Sequence, residues 1–148
     1  MEASSEYPGV STGEGYAVAH LDDLGDGPGF RKIRKALGVT AFGVNAIVIP
    51  PGISSGSHFH DEQEELYFVH RGEIEMEFGD GTVKRLHEGG LARVDAATVR
   101  SIRNVGDVDA VYVCAGGKDG YVGRDGRVPP GEEQRARALH DLAAKPPG

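Results

Sequence analysis

Hydrophobic and polar residues alternate along the middle of the chain, which is the pattern of β-strands with one buried face. The clearest run is Ile74, Met76 and Phe78, whose sequence neighbours are glutamates. The pair Asp80-Gly81 follows this run and predicts a β-hairpin. Short apolar runs separated by turn residues predict further strands over residues 41–49, 66–69, 82–86, 91–94, 99–103 and 110–115. The pattern therefore predicts an all-β barrel or sandwich.

The two ends of the chain carry weaker patterns. A first strand is predicted over residues 15–21, while residues 30–37 fit a helical stripe that is too short to distinguish helix from strand. Residues 132–145 predict a helix, with acids at its start and a lysine at its end that suit the helix dipole. The expected division is an N-terminal arm over 1–14, a β-barrel over 15–128, and a C-terminal helix and tail over 129–148.

Two near-copies, Gly-Lys-Asp-Gly at 117–120 and Gly-Arg-Asp-Gly at 123–126, lie close together in the sequence. Glycine-rich loops bind phosphate when a strand precedes them and a helix follows directly. That context is missing here. We therefore interpret both segments as tight turns in which Asp-Gly supplies the positive φ.

Composition narrows the classes of function. The 148 residues include 23 glycines and 8 prolines, so turns are abundant, and 39% hydrophobic residues are enough for a core. A net charge of −7 argues against a nucleic-acid groove and against an anionic membrane as partner, since both need clustered cations. The polar N-terminal residues do not resemble a signal peptide, and no apolar run approaches the ~20 residues of a membrane span. The single cysteine, Cys114, excludes an internal disulfide and favours a cytoplasmic location.

Three residues suggest a metal site. His58 and His60 are two positions apart, so on a strand both imidazoles point to the same face. Glu65 begins the next predicted strand, and an antiparallel pair would bring it to the histidines. Two imidazoles and a carboxylate suit a divalent Fe, Mn, Zn, Ni or Co ion. A lone His-x-His is more often a surface turn, so the surrounding residues decide the interpretation.

Those surroundings resemble the first motif of the cupin superfamily. Five residues have its spacing: Gly52, His58, His60, Glu65 and Gly72. The resemblance extends over residues 41–115 and is to small, single-domain cupins of the conserved-barrel (cupin 2) type. It implies a jelly roll, or double-stranded β-helix, whose barrel holds one metal or ligand site. It also implies a homodimer to which the arm and edge strands contribute, and unpaired edge strands are a physical reason for such pairing.

The second motif of the family is only partly present. Asn104 stands where that motif has its asparagine, but Arg100 occupies the position of the third metal-binding histidine. An arginine cannot ligate a metal, stays protonated, and needs a partner when buried. Glu65 is the expected partner, in a pair that would compete with metal binding. At an effective dielectric of ~20, a fixed cation a few Å away makes the binding free energy of a divalent ion less favourable by several kcal/mol.

Two hypotheses on function stay open. In the first, His58, His60 and Glu65 hold a metal in an enzyme of the dioxygenase or isomerase class, and Arg100 binds an anionic group of a small metabolite. In the second, no metal is bound, Arg100 pairs with Glu65, and the barrel is a binding or sensing module for a small anionic molecule. Tyr67, which shares a strand face with Glu65, is a further candidate ligand-binding residue in both.

Asn45 is the last candidate ligand-binding residue. It lies in the strong strand predicted over residues 41–49 and faces away from Val44 and Ala46. It therefore points to the side of the strand on which a barrel pocket is expected.

Overall fold

A computed structural model describes residues 6–131 of the chain. The helix predicted over residues 132–145 lies outside the described residues. Twelve strands, one short helix and one turn of 3-10 helix (Leu21–Leu24) form the described part. In chain order they are β1 (Ser11–Gly13), β2 (Tyr16–Val18), β3 (Gly29–Arg31), α1 (Ile33–Leu37), β4 (Gly43–Ile49), β5 (Phe59–His60), β6 (Glu64–Arg71), β7 (Ile74–Phe78), β8 (Val83–Leu86), β9 (Leu91–Val94), β10 (Arg100–Asn104), β11 (Ala110–Gly117) and β12 (Gly126–Arg127).

The strands form two main antiparallel sheets. The larger has the order β3-β4-β11-β6-β9, and the smaller has the order β10-β7-β8. Each sheet joins strands that are distant in sequence, such as β4 with β11 and β7 with β10. This topology confirms the predicted all-β double-stranded β-helix.

The alternation of residue types explains which faces are buried. In β6, Tyr67 and Val69 point to the interior, while Leu66 and Phe68, which alternate with them, are exposed. In β7, the predicted inward positions Ile74 and Met76 are fully buried. The core lies between the two sheets, where these residues pack with Ile49 of β4 and Ile102 of β10.

Turn residues lie at the predicted ends of the strands. Asp80 accepts a hydrogen bond from the Thr82 amide (2.9 Å) in the hairpin between β7 and β8. Gly72, between β6 and β7, has a φ of +78°, and a Cβ there would lie 2.9 Å from the Cα of Ala110. Only glycine fits this turn, which sets the start of β7 against the start of β11.

Asn104 has a structural role at the end of β10. Its buried amide donates to the carbonyls of Ile49 (2.8 Å) and Val108 (2.7 Å), and its Oδ1 accepts from the Gly106 amide (2.8 Å). One side chain therefore ties the end of β4 to the turn that leads into β11.

The N-terminal region departs from the sequence-based prediction. The strand predicted over 15–21 is shorter and corresponds to β2 alone, which pairs with β1 from the predicted arm, and the 3-10 turn follows. The ambiguous segment 30–37 divides into the end of β3 and helix α1, which ends at Gly38 in the left-handed conformation. Among the described residues, no helix is long and apolar enough to span a membrane.

Candidate metal centre

The three predicted metal ligands converge inside the barrel. His58 is bridged to Arg100 by reciprocal backbone hydrogen bonds of 2.9 Å, so it lies against the start of β10. His60 is in β5 and Glu65 in β6. One potential ligand atom from each of the three residues lies within 4.8 Å of the others. The two imidazole rings are perpendicular, with centroids 5.1 Å apart.

The Glu65 carboxylate is the centre of a buried hydrogen-bond network. Its Oε1 accepts from the Tyr67 hydroxyl and from Nη2 of Arg100, both at 2.7 Å. Its Oε2 accepts from Sγ of Cys114 at 3.1 Å. The Nε2 atoms of His60 and His58 lie 3.0 Å and 3.7 Å from Oε1.

Burial alone would raise the pKa of the Glu65 carboxyl, because it disfavours the charged form. The donors around it outweigh this effect and hold the pKa well below its ordinary value. Burial, followed by the negative charge nearby, raises the pKa of the Cys114 thiol and of the Tyr67 hydroxyl. Glu65 is therefore the anion of the site, and Tyr67 and Cys114 are neutral neighbours that donate hydrogen bonds to it.

Only one ring nitrogen of His60 forms a hydrogen bond among the described residues. Its Nδ1 is hydrogen-bonded at 2.8 Å to Oδ1 of Asp125, which is 65 positions away in the sequence. Its buried Nε2 forms no hydrogen bond among the described residues, although it lies 3.0 Å from Oε1 of Glu65. Burial disfavours the charged imidazole, but Glu65 and Asp125 outweigh that effect and raise the pKa of His60. A buried nitrogen without a partner, beside a second imidazole and a carboxylate, is a donor set that fits a metal ion.

Arg100 is completely buried, and nearly all of its donors are used by the protein. Its Nη1 donates to the carbonyl of Thr98 at 2.7 Å and lies within 3.3 Å of the carbonyls of Ala96 and Asp95. Its Nε donates to the Tyr67 hydroxyl (3.2 Å) and its Nη2 to Glu65. The guanidinium therefore orients the carboxylate and lies behind it.

A family profile for the cupin domain matches residues 46–116, which run from β4 to β11 and include all three candidate ligands. The chain contains a cupin domain. No curated protein matches the chain.

Solved structures are similar to this cupin domain. An uncharacterized conserved protein with a double-stranded β-helix domain from Klebsiella pneumoniae is 25% identical, with a TM-score of 0.51 over 53% of this chain and 69% of that chain. The DMSP lyase DddQ from Ruegeria pomeroyi is 21% identical, with a TM-score of 0.54 over 62% of this chain and 46% of that chain. The cupin domain of Schizosaccharomyces pombe Cnp3 is 18% identical, with a TM-score of 0.50 over 53% and 56% of the two chains. The last two similarities show the fold alone, and the chain spans about half the length of those proteins.

The cupin site contains a residue that the sequence analysis did not single out. Asp125 lies in the second near-copy, Gly-Arg-Asp-Gly, whose pattern predicts a tight turn. Its buried side chain accepts hydrogen bonds from the amides of Glu62 (2.8 Å) and Gln63 (3.0 Å), from the Gln63 side chain, and from His60. Among the described residues, Asp119 of the first near-copy makes no such contact. The two motifs are nearly identical, so the sequence alone carries no signal that separates them.

The backbone of the second near-copy also differs from the prediction. The residue with positive φ is Arg124 (40°), while Gly126 is in β12 and pairs with His60. This pairing is what brings Asp125 beside the histidine.

A cavity of about 740 Å³ adjoins the three candidate ligands and extends towards α1 and the segment before β12. Tyr67 and Asn45, two of the predicted ligand-binding residues, line it, and so does Cys114. Arg100 is not among the lining residues. The volume is in the range of small-molecule sites.

Proposed function

We propose that the cupin barrel binds one divalent metal ion through His58, His60 and Glu65 and uses it on a small organic ligand in the adjoining cavity. The buried, unpartnered Nε2 of His60 carries this proposal. Such an atom is costly to bury without an interaction, and a metal ion would remove that cost. Fe, Mn, Zn and Ni are all compatible with two imidazoles and a carboxylate.

The proposal extends to an enzyme of the dioxygenase or isomerase class. A divalent ion would supply Lewis-acid or redox chemistry at this point. The protein residues have separate tasks. Asp125 holds a proton on Nδ1 of His60 and so leaves the Nε2 lone pair directed into the site. Arg100 and Tyr67 fix the orientation of the Glu65 carboxylate.

A second candidate function is a metal-free binding or sensing module. The observation that favours it is the hydrogen bond of 2.7 Å between Arg100 and Glu65, because the oxygen that accepts it is the one nearest both histidines. In this alternative the imidazoles of His58 and His60 line a ligand pocket as polar groups. The ligand would be a small anionic molecule.

The thermal stability of the chelator-treated protein on addition of Fe(II), Mn(II), Zn(II) or Ni(II) tests the first proposal. We expect at least one of these ions to raise the melting temperature. Glu65→Gln should abolish the increase, and its control Glu64→Gln, which changes the outward-facing neighbour, should retain it. No increase in the wild-type protein with any of the four ions would contradict metal binding.

The variant Arg100→His tests whether Arg100 occupies the position of a metal ligand. This variant returns an imidazole to a position that is directly bridged to His58. If Arg100 merely stands in place of a fourth ligand, the variant binds the same ion more tightly than wild type. A variant that folds and binds no metal would contradict the assignment of Arg100 to the ligand position.

A homodimer and a cytoplasmic location belong to the proposal as well. Leu66, Phe68 and Leu91 are exposed apolar residues on the outer face of the large sheet, and Phe68 and Leu91 are direct cross-strand partners. An apolar patch on a sheet face supports contact with a second copy of the chain. The single cysteine supports the cytoplasmic location.

A further inference from the structure

The charges that line the cavity are strongly uneven. Among the described residues, a single carboxylate, that of Glu65, lines the cavity. Five cationic residues line it: Lys32, Arg34, Lys35, Arg124 and Arg127. The chain as a whole has a net charge of −7, so the charge of the cavity lining is opposite in sign to the net charge of the chain.

The single carboxylate does not neutralise this lining. Glu65 is paired at 2.7 Å with Arg100, a cation that lies behind the cavity wall. With Glu65 paired in this way, the remaining formal charge of the described lining residues is cationic. A cavity lined by one sign of charge concentrates ligands of the opposite sign.

Two of the five cations are already paired. Arg127 forms an ion pair of 2.8 Å with Asp61, and Lys35 one of 3.4 Å with Glu6. Within residues 6–131, no carboxylate pairs with the side chains of Lys32, Arg34 or Arg124. These three can bind an anion without giving up an existing ion pair.

Aromatic side chains lie among these cations. Phe30 precedes Lys32 by two residues, lines the cavity and is 60% exposed. Tyr121 is 42% exposed, and its ring lies 4.1 Å beneath the Arg34 guanidinium. Large apolar side chains that remain exposed in a cavity are typical of contacts with the apolar part of a ligand.

We propose that the cavity binds an organic acid whose carboxylate is held by Lys32, Arg34 and Arg124 and whose apolar or aromatic body packs on Phe30 and Tyr121. This inference rests on the proposed function, because the rest of the ligand extends towards the His58, His60 and Glu65 cluster. It places the anion anchor where the residues around α1 meet the segment before β12. Arg100, the anchor expected from the sequence, has its donors committed to Glu65, Tyr67 and backbone carbonyls.

Two matched pairs of probes test this proposal by calorimetric or NMR titration: phenylacetate against phenylacetamide, and hexanoate against hexanamide. Each amide has the shape of its acid but no charge. We expect both acids to bind, and each amide to bind at least about tenfold more weakly, since a hydrogen bond to a charged group is stronger than one between neutral groups. Amides that bind as well as their acids, or acids that do not bind, would overturn the proposal.

The triple variant K32Q/R34Q/R124Q identifies the anchor. Its matched control is K84Q/R103Q/K118Q, which removes three exposed cations that do not line the cavity and so changes the net charge equally. The first variant should lose about tenfold or more in acid affinity, and the control should bind like wild type. Equal affinity in the two variants would refute the anchor.

Separate experiments can contradict the proposed metal binding and the proposed anion anchor. Acid binding is measured on chelator-treated protein, and metal binding is measured without the acid. A protein that binds the acids but no metal contradicts the proposed function alone. A protein that binds metal and shows no difference between acid and amide contradicts the present inference alone.

Discussion

At the scale of single residues, the site is organised by the pairing of Glu65 with Arg100. The carboxylate has five polar neighbours, and only one of them, Arg100, is permanently charged. The sequence predicted this pair, because a buried guanidinium needs an anion and Glu65 was the nearest candidate in the cupin motif. It did not reveal the three backbone carbonyls around Nη1, since they depend on the path of residues 95–98.

Breaking this pair should destabilise the metal-free protein. We expect Arg100→Met to lower the free energy of unfolding by about 3–5 kcal/mol, because Glu65 is left buried without its cation. Arg103→Met is the control, since Arg103 is an exposed residue of the same strand, and it should change the value by less than about 0.5 kcal/mol. Urea denaturation of chelator-treated protein measures both.

The double variant Arg100→Met/Glu65→Leu completes the cycle. Removal of both charges should lower the free energy of unfolding by less than the sum of the two single changes, because neither charge is then left buried without its partner. Strictly additive decreases would mean that the two groups do not interact in solution.

At the scale of elements, the short strand β12 completes the site. It pairs with β5 and places Asp125 next to His60. The main strands were predictable because their alternation is long and regular; β7 and β9 have the predicted bounds. Strand β12 has two residues and no alternation, so its contribution depends on tertiary contacts that the sequence does not display.

Asp125→Asn tests the contribution of this element. The carboxylate fixes the Nδ1 proton of His60, and loss of such a partner typically lowers metal affinity by about 10–100-fold. The near-copy supplies the control, because Asp119→Asn changes the equivalent residue of Gly-Lys-Asp-Gly, which is exposed. Metal titrations give the affinities, and ¹⁵N NMR of the His60 ring reports the protonation pattern. Equal affinities in the two variants would show that Asp125 is only structural.

At the scale of the whole molecule, the outer face of the large sheet carries an apolar patch of Leu66, Phe68 and Leu91. Light scattering should give the wild-type protein twice the 15.7 kDa mass of the chain. Leu91→Glu, which puts a charge into the patch, should give a monomer, while Val83→Glu on the small sheet should remain a dimer. A monomeric wild-type protein would contradict the proposed dimer.

The predicted jelly roll and the convergence of His58, His60 and Glu65 came from a motif with fixed spacing. The sequence showed neither the cationic cavity nor its exposed aromatics, because these residues come from the segment of β3 and α1 and from the segment before β12, which approach each other only in the fold.

The central claim is that this cupin barrel holds a metal ion. Elemental analysis of protein purified without chelator, and again after reconstitution and removal of free ions, tests it most directly. We predict close to one divalent ion per chain in the wild type and in His87→Gln, an exposed histidine far from the cluster in sequence, and almost none in His60→Gln. A wild-type protein that holds no metal after reconstitution, or a His60→Gln variant that holds as much as the wild type, would contradict the claim.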